Sequence, residues 1–134
     1  MSIVQTEWWC LEIPEEWSAS VEDDCVTVSD CDGVGDIDIT VVCREDGVVD
    51  ENELQALASD IIDQGITAEP VEIGNCQGLL FEYVEEDEAL REWYLARGGL
   101  FVYITYSCDA DNRDLDVAAV DAILQTLVVV DSVD

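Results

Sequence analysis

The sequence predicts an α+β protein, a mostly antiparallel sheet with helices laid against it, on three observations. Apolar residues recur in alternating or continuous runs of strand length along much of the chain, separated by glycine and acidic residues. Two stretches instead carry apolar residues at the i, i+3, i+4, i+7 spacing of a helix stripe. Strands that follow one another through short turns pair antiparallel, and the helices need a sheet face on which to bury their stripes. The chain has 134 residues and 49% hydrophobic content, which makes residues 1–134 one domain with apolar material for a single core.

TEWWCLEI, Thr6 to Ile13, opens as a strand that Pro14 ends. Trp17 and Val21 begin the next short strand, followed by Cys25 to Ser29 and Asp36 to Cys43. In the last of these, Ile37, Ile39, Val41 and Cys43 share one face, and Asp36, Asp38 and Thr40 the other. A helix then carries Leu54, Leu57, Ala58, Ile61 and Ile62 as its stripe, and Gly65 stops it. VEIGN and CQGLLFEYVEED give two further strands, and ALREWYLARGG with LFVYITYSC forms a hairpin across Gly98 and Gly99. Leu100 to Tyr106 is apolar or aromatic on both faces apart from Thr105, the pattern of a central strand covered on both sides. A last helix begins at Asp114, with Val117, Val120, Ile123, Leu124 and Leu127 as its buried stripe, and VVVDSVD follows as a final helical turn or a short extended tail.

Two acidic, glycine-containing loops invite a calcium reading. With Gly47 of REDGVVDENEL at position six of an EF-hand loop, Asp46, Val49, Asp50 and Glu53 take suitable places, but positions one and three fall on Val42 and Arg44. Centring the pattern on Gly33 puts Val28 at position one and Ile39 at twelve, so half the cage is missing in both loops. CDGVGD reads instead as a hairpin turn, and Asp50 with Glu53 as a capping pair that opens the middle helix. No metal site is expected, and with no histidine in the chain and no CxxC spacing a zinc site is not expected either.

Charge is the strongest compositional signal: 33 acidic residues stand against 4 basic ones, a formal net charge of -29. Nucleic acid and the anionic membrane surface are therefore not expected partners, because both are held by clustered lysine and arginine. The acidity fits adaptation to high salt, steering to a basic partner, or mimicry of nucleic acid; its spread along the whole chain favours the first. MSIVQTEWW lacks the basic start and apolar run of a signal peptide, and no apolar run reaches bilayer-spanning length, so a cytoplasmic location is expected. Six cysteines, Cys10, Cys25, Cys31, Cys43, Cys76 and Cys108, then act mainly as small buried hydrophobes.

The early strand leading to IPEEW at Ile13 to Trp17, the helix after the fourth strand, REWYLARGGLFVYITYSC at Arg91 to Cys108 and VDAILQTL at Val120 to Leu127 together resemble the Mog1/PsbP-like superfamily, which includes DcrB-like bacterial proteins. The resemblance covers nearly the whole chain. It implies an α/β/α sandwich around an antiparallel sheet, used mainly for binding. Relatives in that superfamily include a regulator of a nuclear-transport GTPase, a photosystem subunit and small acidic chaperones of type VI secretion effectors. The chain departs from the periplasmic and lumenal relatives in lacking a lipoprotein signal or transit peptide, and is compatible with the chaperone branch.

Catalysis is not expected. Histidine and lysine are absent, cysteine nucleophiles lack a nearby base, and carboxylate pairs are unavoidable by chance among so many acids. No cofactor is expected. The run EYVEEDEALREW reads as a solvated hairpin connection, and the scarce arginines, Arg44, Arg91, Arg97 and Arg113, as local ion-pair formers, for example Arg91 with carboxylates of its own hairpin; an anchor for an anionic group is the alternative. Aromatic residues offer the best candidates for a recognition surface: Trp9, Trp17, Trp93, Tyr94 and Tyr103, with core packing as the ordinary reading of each. The expected role is non-catalytic protein binding, as a chaperone or adaptor for a secreted effector; an acidic inhibitor or immunity-type protein against a basic toxin or nuclease is the alternative. Monomer and homodimer both remain open.

Overall fold

A computed structural model describes residues 2–6, 9–22, 25–30, 35–43, 51–97, 99–112 and 117–129. The strands are β1 (Ser2–Gln5), β2 (Trp9–Ile13), β3 (Trp17–Glu22), β4 (Cys25–Asp30), β5 (Gly35–Cys43), β6 (Glu69–Ile73), β7 (Cys76–Glu85), β8 (Glu88–Arg97), β9 (Leu100–Asp109) and β10 (Val128–Val129). The helices are α1 (Glu51–Leu57), α2 (Ser59–Asp63) and α3 (Val117–Gln125), and a 3-10 turn spans Ala110–Asn112. Seven strands form one antiparallel sheet in the order β3-β4-β5-β9-β8-β7-β6, and β1-β2-β10 form a second, smaller sheet. The α+β, mostly antiparallel architecture read from the sequence is therefore present, with α1 and α2 on one face of the large sheet and α3 with the small sheet on the other.

Alternation fixes which side chains go where. On one face of the large sheet, Val26, Val28, Ile37, Ile39, Trp93, Leu95, Val102 and Ile104 pack against Trp9, Leu11 and Ile13 of the small sheet and Val120, Ile123 and Leu124 of α3. On the opposite face, Leu79, Phe81 and Tyr94 meet Leu54, Ala58 and Ile61 of α1 and α2. β9 lies fourth of the seven strands, as its composition predicts. Its Leu100, Val102, Ile104, Tyr106 and Cys108 are buried, whereas Phe101, Tyr103, Thr105 and Ser107 are half-buried, because the two short helices cover only part of that face.

Two elements differ from the sequence reading, and the tail resolves one that it left open. The opening strand read at Thr6 to Ile13 is β2, beginning at Trp9, and a further strand that the sequence reading lacked, β1, precedes it; Thr6 between them donates its N–H to the Trp9 carbonyl at 2.8 Å and accepts from the Trp9 N–H at 3.2 Å. The middle helix breaks at Ala58; Leu54, Ala58 and Ile61 are buried, while Leu57 and Ile62 face solvent at 49% and 38% exposure. Gly65 does end it, in the left-handed region at φ 88°. Of the two readings of the tail, the extended one holds at Val128–Val129, which pairs with β2. The last helix is described from Val117; Asp114, the EF-hand-like loop 44–50 with Asp50, the turn residues 31–34 and Gly98 lie outside the described residues. The strands flanking those turns pair antiparallel as expected, Ser29 opposite Asp36 and Arg97 opposite Leu100.

The small sheet is tied to the large one by polar side chains. Asn75, in the β6–β7 turn, donates from Nδ2 to the Val129 carbonyl at 3.0 Å and accepts the Val129 N–H at 2.8 Å. Thr126 Oγ1 accepts the Glu12 N–H at 2.9 Å across a separation of 114 positions. No helix among the described residues is long and apolar enough to cross a membrane.

Candidate functional site

On the helix-covered face of the large sheet, β7, β8 and β9 each contribute tyrosine around one carboxylate. Glu92 of β8 sits opposite Phe81 of β7 and Thr105 of β9, and the diagonal neighbours on its face are Tyr83 and Tyr103. It is the one buried charged side chain among the described residues, at 7% exposure. Three phenols donate to it: Tyr83 to Oε2, Tyr94 to Oε1 at 3.2 Å and Tyr103 to Oε1 at 3.0 Å. Hydrogen bonds to all sides are what a buried carboxylate without a facing cation requires.

The phenols are correspondingly hard to ionise. Burial, then the Glu92 charge, pushes the Tyr103 hydroxyl up to about 12 from its ordinary 10.0. Burial likewise raises Tyr83 and Tyr94, with Glu92 as the next cause in each. The carboxylate thus joins three neutral tyrosines from three strands in one hydrogen-bonded cluster.

The cluster borders an aromatic ledge. Tyr94 packs edge-on to Phe81 with centroids 5.5 Å apart and lies 5.1 Å from Tyr103 and 6.0 Å from Phe101. Phe101 and Tyr103 stack at 6.3 Å. Val42 of β5 lies opposite Phe101 and Thr40 opposite Tyr103. Cover falls away in that direction: Tyr94 is buried beneath the helices, Phe101 and Tyr103 are half-buried, and Val42 is 53% exposed. Beyond them the face turns polar, with Thr27 Oγ1 donating to Asp38 Oδ1 at 2.7 Å and Asp36 exposed.

Of the residues the sequence offers for recognition, Trp9, Trp17 and Trp93 are corrected to core: 3%, 5% and 1% exposed, they fill the cluster on the other face. Tyr94 is buried but belongs to the ledge, and Tyr103 stands at its half-exposed part. Phe101, one of the wider set of aromatic residues that the sequence offers, joins them, and Tyr83, Val42 and Glu92 complete the constellation without having been singled out. Their signal was the alternation Glu92, Tyr94 along β8 set against Phe101, Tyr103 along β9, which only the strand register turns into proximity. Trp8 lies outside the described residues.

Cysteines and arginines are placed more simply. Cys76 and Cys108 are buried, Cys10 and Cys25 half-buried, all four as free thiols; burial pushes the Cys76 thiol up to about 11 although Arg97 opposes it. Arg91 makes its ion pair with Asp121 of α3 at 2.8 Å rather than with its own hairpin, and its guanidinium lies 4.7 Å from the Trp93 ring centroid. Arg97 donates to the Asn75 carbonyl at 2.9 Å. The solvated connection read for Glu82 to Trp93 shrinks to the exposed pair Glu86 and Asp87; the rest of the run is strand, and Ala89, Glu92 and Trp93 are buried. No group of three metal-ligating side chains is found among the described residues.

No protein-family profile matches the chain, and no curated protein matches it in sequence. Solved structures do. The crystal structure of a protein from Bacteroides thetaiotaomicron VPI-5482 superposes with a TM-score of 0.69 at 13% identity, covering 92% of this chain and 45% of that one, so the chain spans about half of that protein's length. The solution structure of cyanobacterial PsbP (CyanoP) from Synechocystis sp. PCC 6803 matches with a TM-score of 0.61 at 12% identity over 91% of this chain and 86% of that one. At such identities the likeness is one of architecture, and it agrees with the element order described above: this chain has the Mog1/PsbP-like fold.

Proposed function

We propose that the chain is a non-catalytic protein-binding module, acting in the cytoplasm, that receives an apolar segment of a partner on the aromatic ledge beside α1 and α2. The carrying observation is the graded exposure from Tyr94 through Phe101 and Tyr103 to Val42, an apolar and aromatic border on an otherwise polar half-face. A chaperone or adaptor for a secreted effector is the most concrete form of this reading. Glu92 supports it by tying tyrosines of three strands together before a partner arrives, which lowers the entropy cost of association.

The test is affinity capture from lysate of the source organism with the tagged protein and its Val42→Glu variant, each washed at low and at molar salt. A stoichiometric partner that survives molar salt with the native chain and is lost with Val42→Glu, at unchanged melting temperature, is the expected result. Identical capture by both proteins, or no partner under either wash, overturns it. Asp36 and Asp38 on the same face favour one second reading, an acidic inhibitor of a basic protein. Its partner would dissociate at molar salt whatever stands at position 42.

A further inference from the structure

The opposite face of the β7–β8 hairpin holds a separate feature. A cavity of about 310 Å³ opens between the hairpin, β9 and the start of α3, with Ala89, Tyr106, Cys108 and Val117 among its walls, Arg91 as the cation that lines it and the exposed Glu82, opposite Arg91 on β7, at its rim. Arg91 Nη2 is taken by Asp121 at 2.8 Å, and the indole of Trp93 lies against the guanidinium. Nε and Nη1 are shielded from solvent and have no hydrogen-bond partner among the described residues. Two unsatisfied donors on a permanently charged side chain are costly to keep buried, and a carboxylate is the group whose geometry suits a guanidinium.

We propose that this cavity is a binding site for a small organic carboxylate with a short apolar tail, its head paired with Arg91 and its tail against Ala89, Cys108 and Val117. Asp121 shows how a carboxylate meets this guanidinium, and it is the replaceable partner: its side chain is 52% exposed against 13% for Arg91. A ligand carboxylate displaces Asp121 from Nη2 into solvent, and a small turn of the guanidinium presents Nη1 to its second oxygen. Stacking on Trp93 and burial leave Arg91 with little rotamer freedom to lose on binding. Tyr83 borders both this cavity and the Glu92 cluster, but Phe101, Tyr103 and Val42 of the ledge do not line the cavity, so the two readings are tested separately.

Hexanoate is the probe, titrated into the labelled protein at molar salt, where repulsion between the anion and the acidic surface is screened, with amide resonances as the readout. Expected are saturable shifts at Ala89, Cys108 and Val117, absent with hexanol, which has the tail without the charge. Arg91→Met should weaken binding about tenfold or more, the loss of one charge-assisted pair. Asp121→Asn, which removes the competing carboxylate, should tighten it; an Arg91 that served structure alone would give no such gain. Should Arg91→Met fail to fold, Val117→Phe narrows the cavity with Arg91 in place and should abolish the shifts. No saturation with hexanoate, equal response to hexanol, or unchanged affinity in Asp121→Asn overturns the proposal.

Discussion

Glu92 shows how little a residue's identity says about its environment in this chain. Among 33 acidic residues nothing in its own letter marks it, and its neighbours Trp93 and Tyr94 hint only that the strand is buried. Register supplies the rest by bringing Tyr83, Tyr94 and Tyr103 to one carboxylate. The cluster has a pH signature. Each phenol is raised above its unfolded value, so the folded state holds its protons where the unfolded chain has released them, and stability falls as pH rises. For Tyr103 the window runs from 10.0 to about 12. Melting temperature should therefore drop across that interval and drop less steeply in Glu92→Gln, because that variant keeps the burial but removes the charge. A second residue-scale prediction concerns the hairpin tip. Glu86 and Asp87 both lie in the left-handed region, at φ 50° and 67°, where side chains are disfavoured and Asn-Gly is preferred. Asp87→Gly should stabilise the protein by about 1 kcal/mol in chemical denaturation.

Whole elements were readable where the pattern ran longer than a period. β5, β7, β8 and β9 have nine or ten residues each, enough for alternation to declare itself, and all four were placed from sequence. β1 and β10, with four and two residues, are shorter than any pattern that could announce them. The middle helix was legible as a helix but not as two. Its stripe of five apolar residues was read too wide: Leu54, Ala58 and Ile61 form the line that meets Leu79, Phe81 and Tyr94, and Leu57 and Ile62 fall on its flanks. The candidate site was half legible for a related reason: aromatic residues were visible, the face each one took was not. Asn75 carries the main element-scale prediction. Its side chain bonds both backbone groups of Val129, holding β10 beside β2, so Asn75→Ala should destabilise by about 1–3 kcal/mol and raise amide exchange in β10 and β2 before the large sheet.

At the scale of the molecule, charge dominates. A formal net charge of -29 is distributed over a chain whose described cations are Arg91 and Arg97, so most carboxylates have only water and salt to screen them. At molar salt the screening length falls to about 3 Å, and mutual repulsion beyond touching distance disappears. Melting temperature should rise from low to molar salt; an unchanged value would contradict the view that the surface is held together against its own repulsion. The two rims of the large sheet differ as well. β6 carries Glu69, Pro70 and Glu72, which discourage edge-to-edge pairing, whereas β3 offers Trp17 to Val21 without a charge.

The pairing of β2 with β10 also sets an order in time. β7, β8 and β9 close as successive local hairpins, while the small sheet requires segments as distant as Glu12 and Thr126 to meet. A refolding chain should accordingly protect the amides of Trp93 and Ile104 before those of Leu11 and Val129 in pulsed hydrogen exchange. The small sheet, with its Trp9 and Leu11, is then the last part of the core to close and the first to open under mild denaturant.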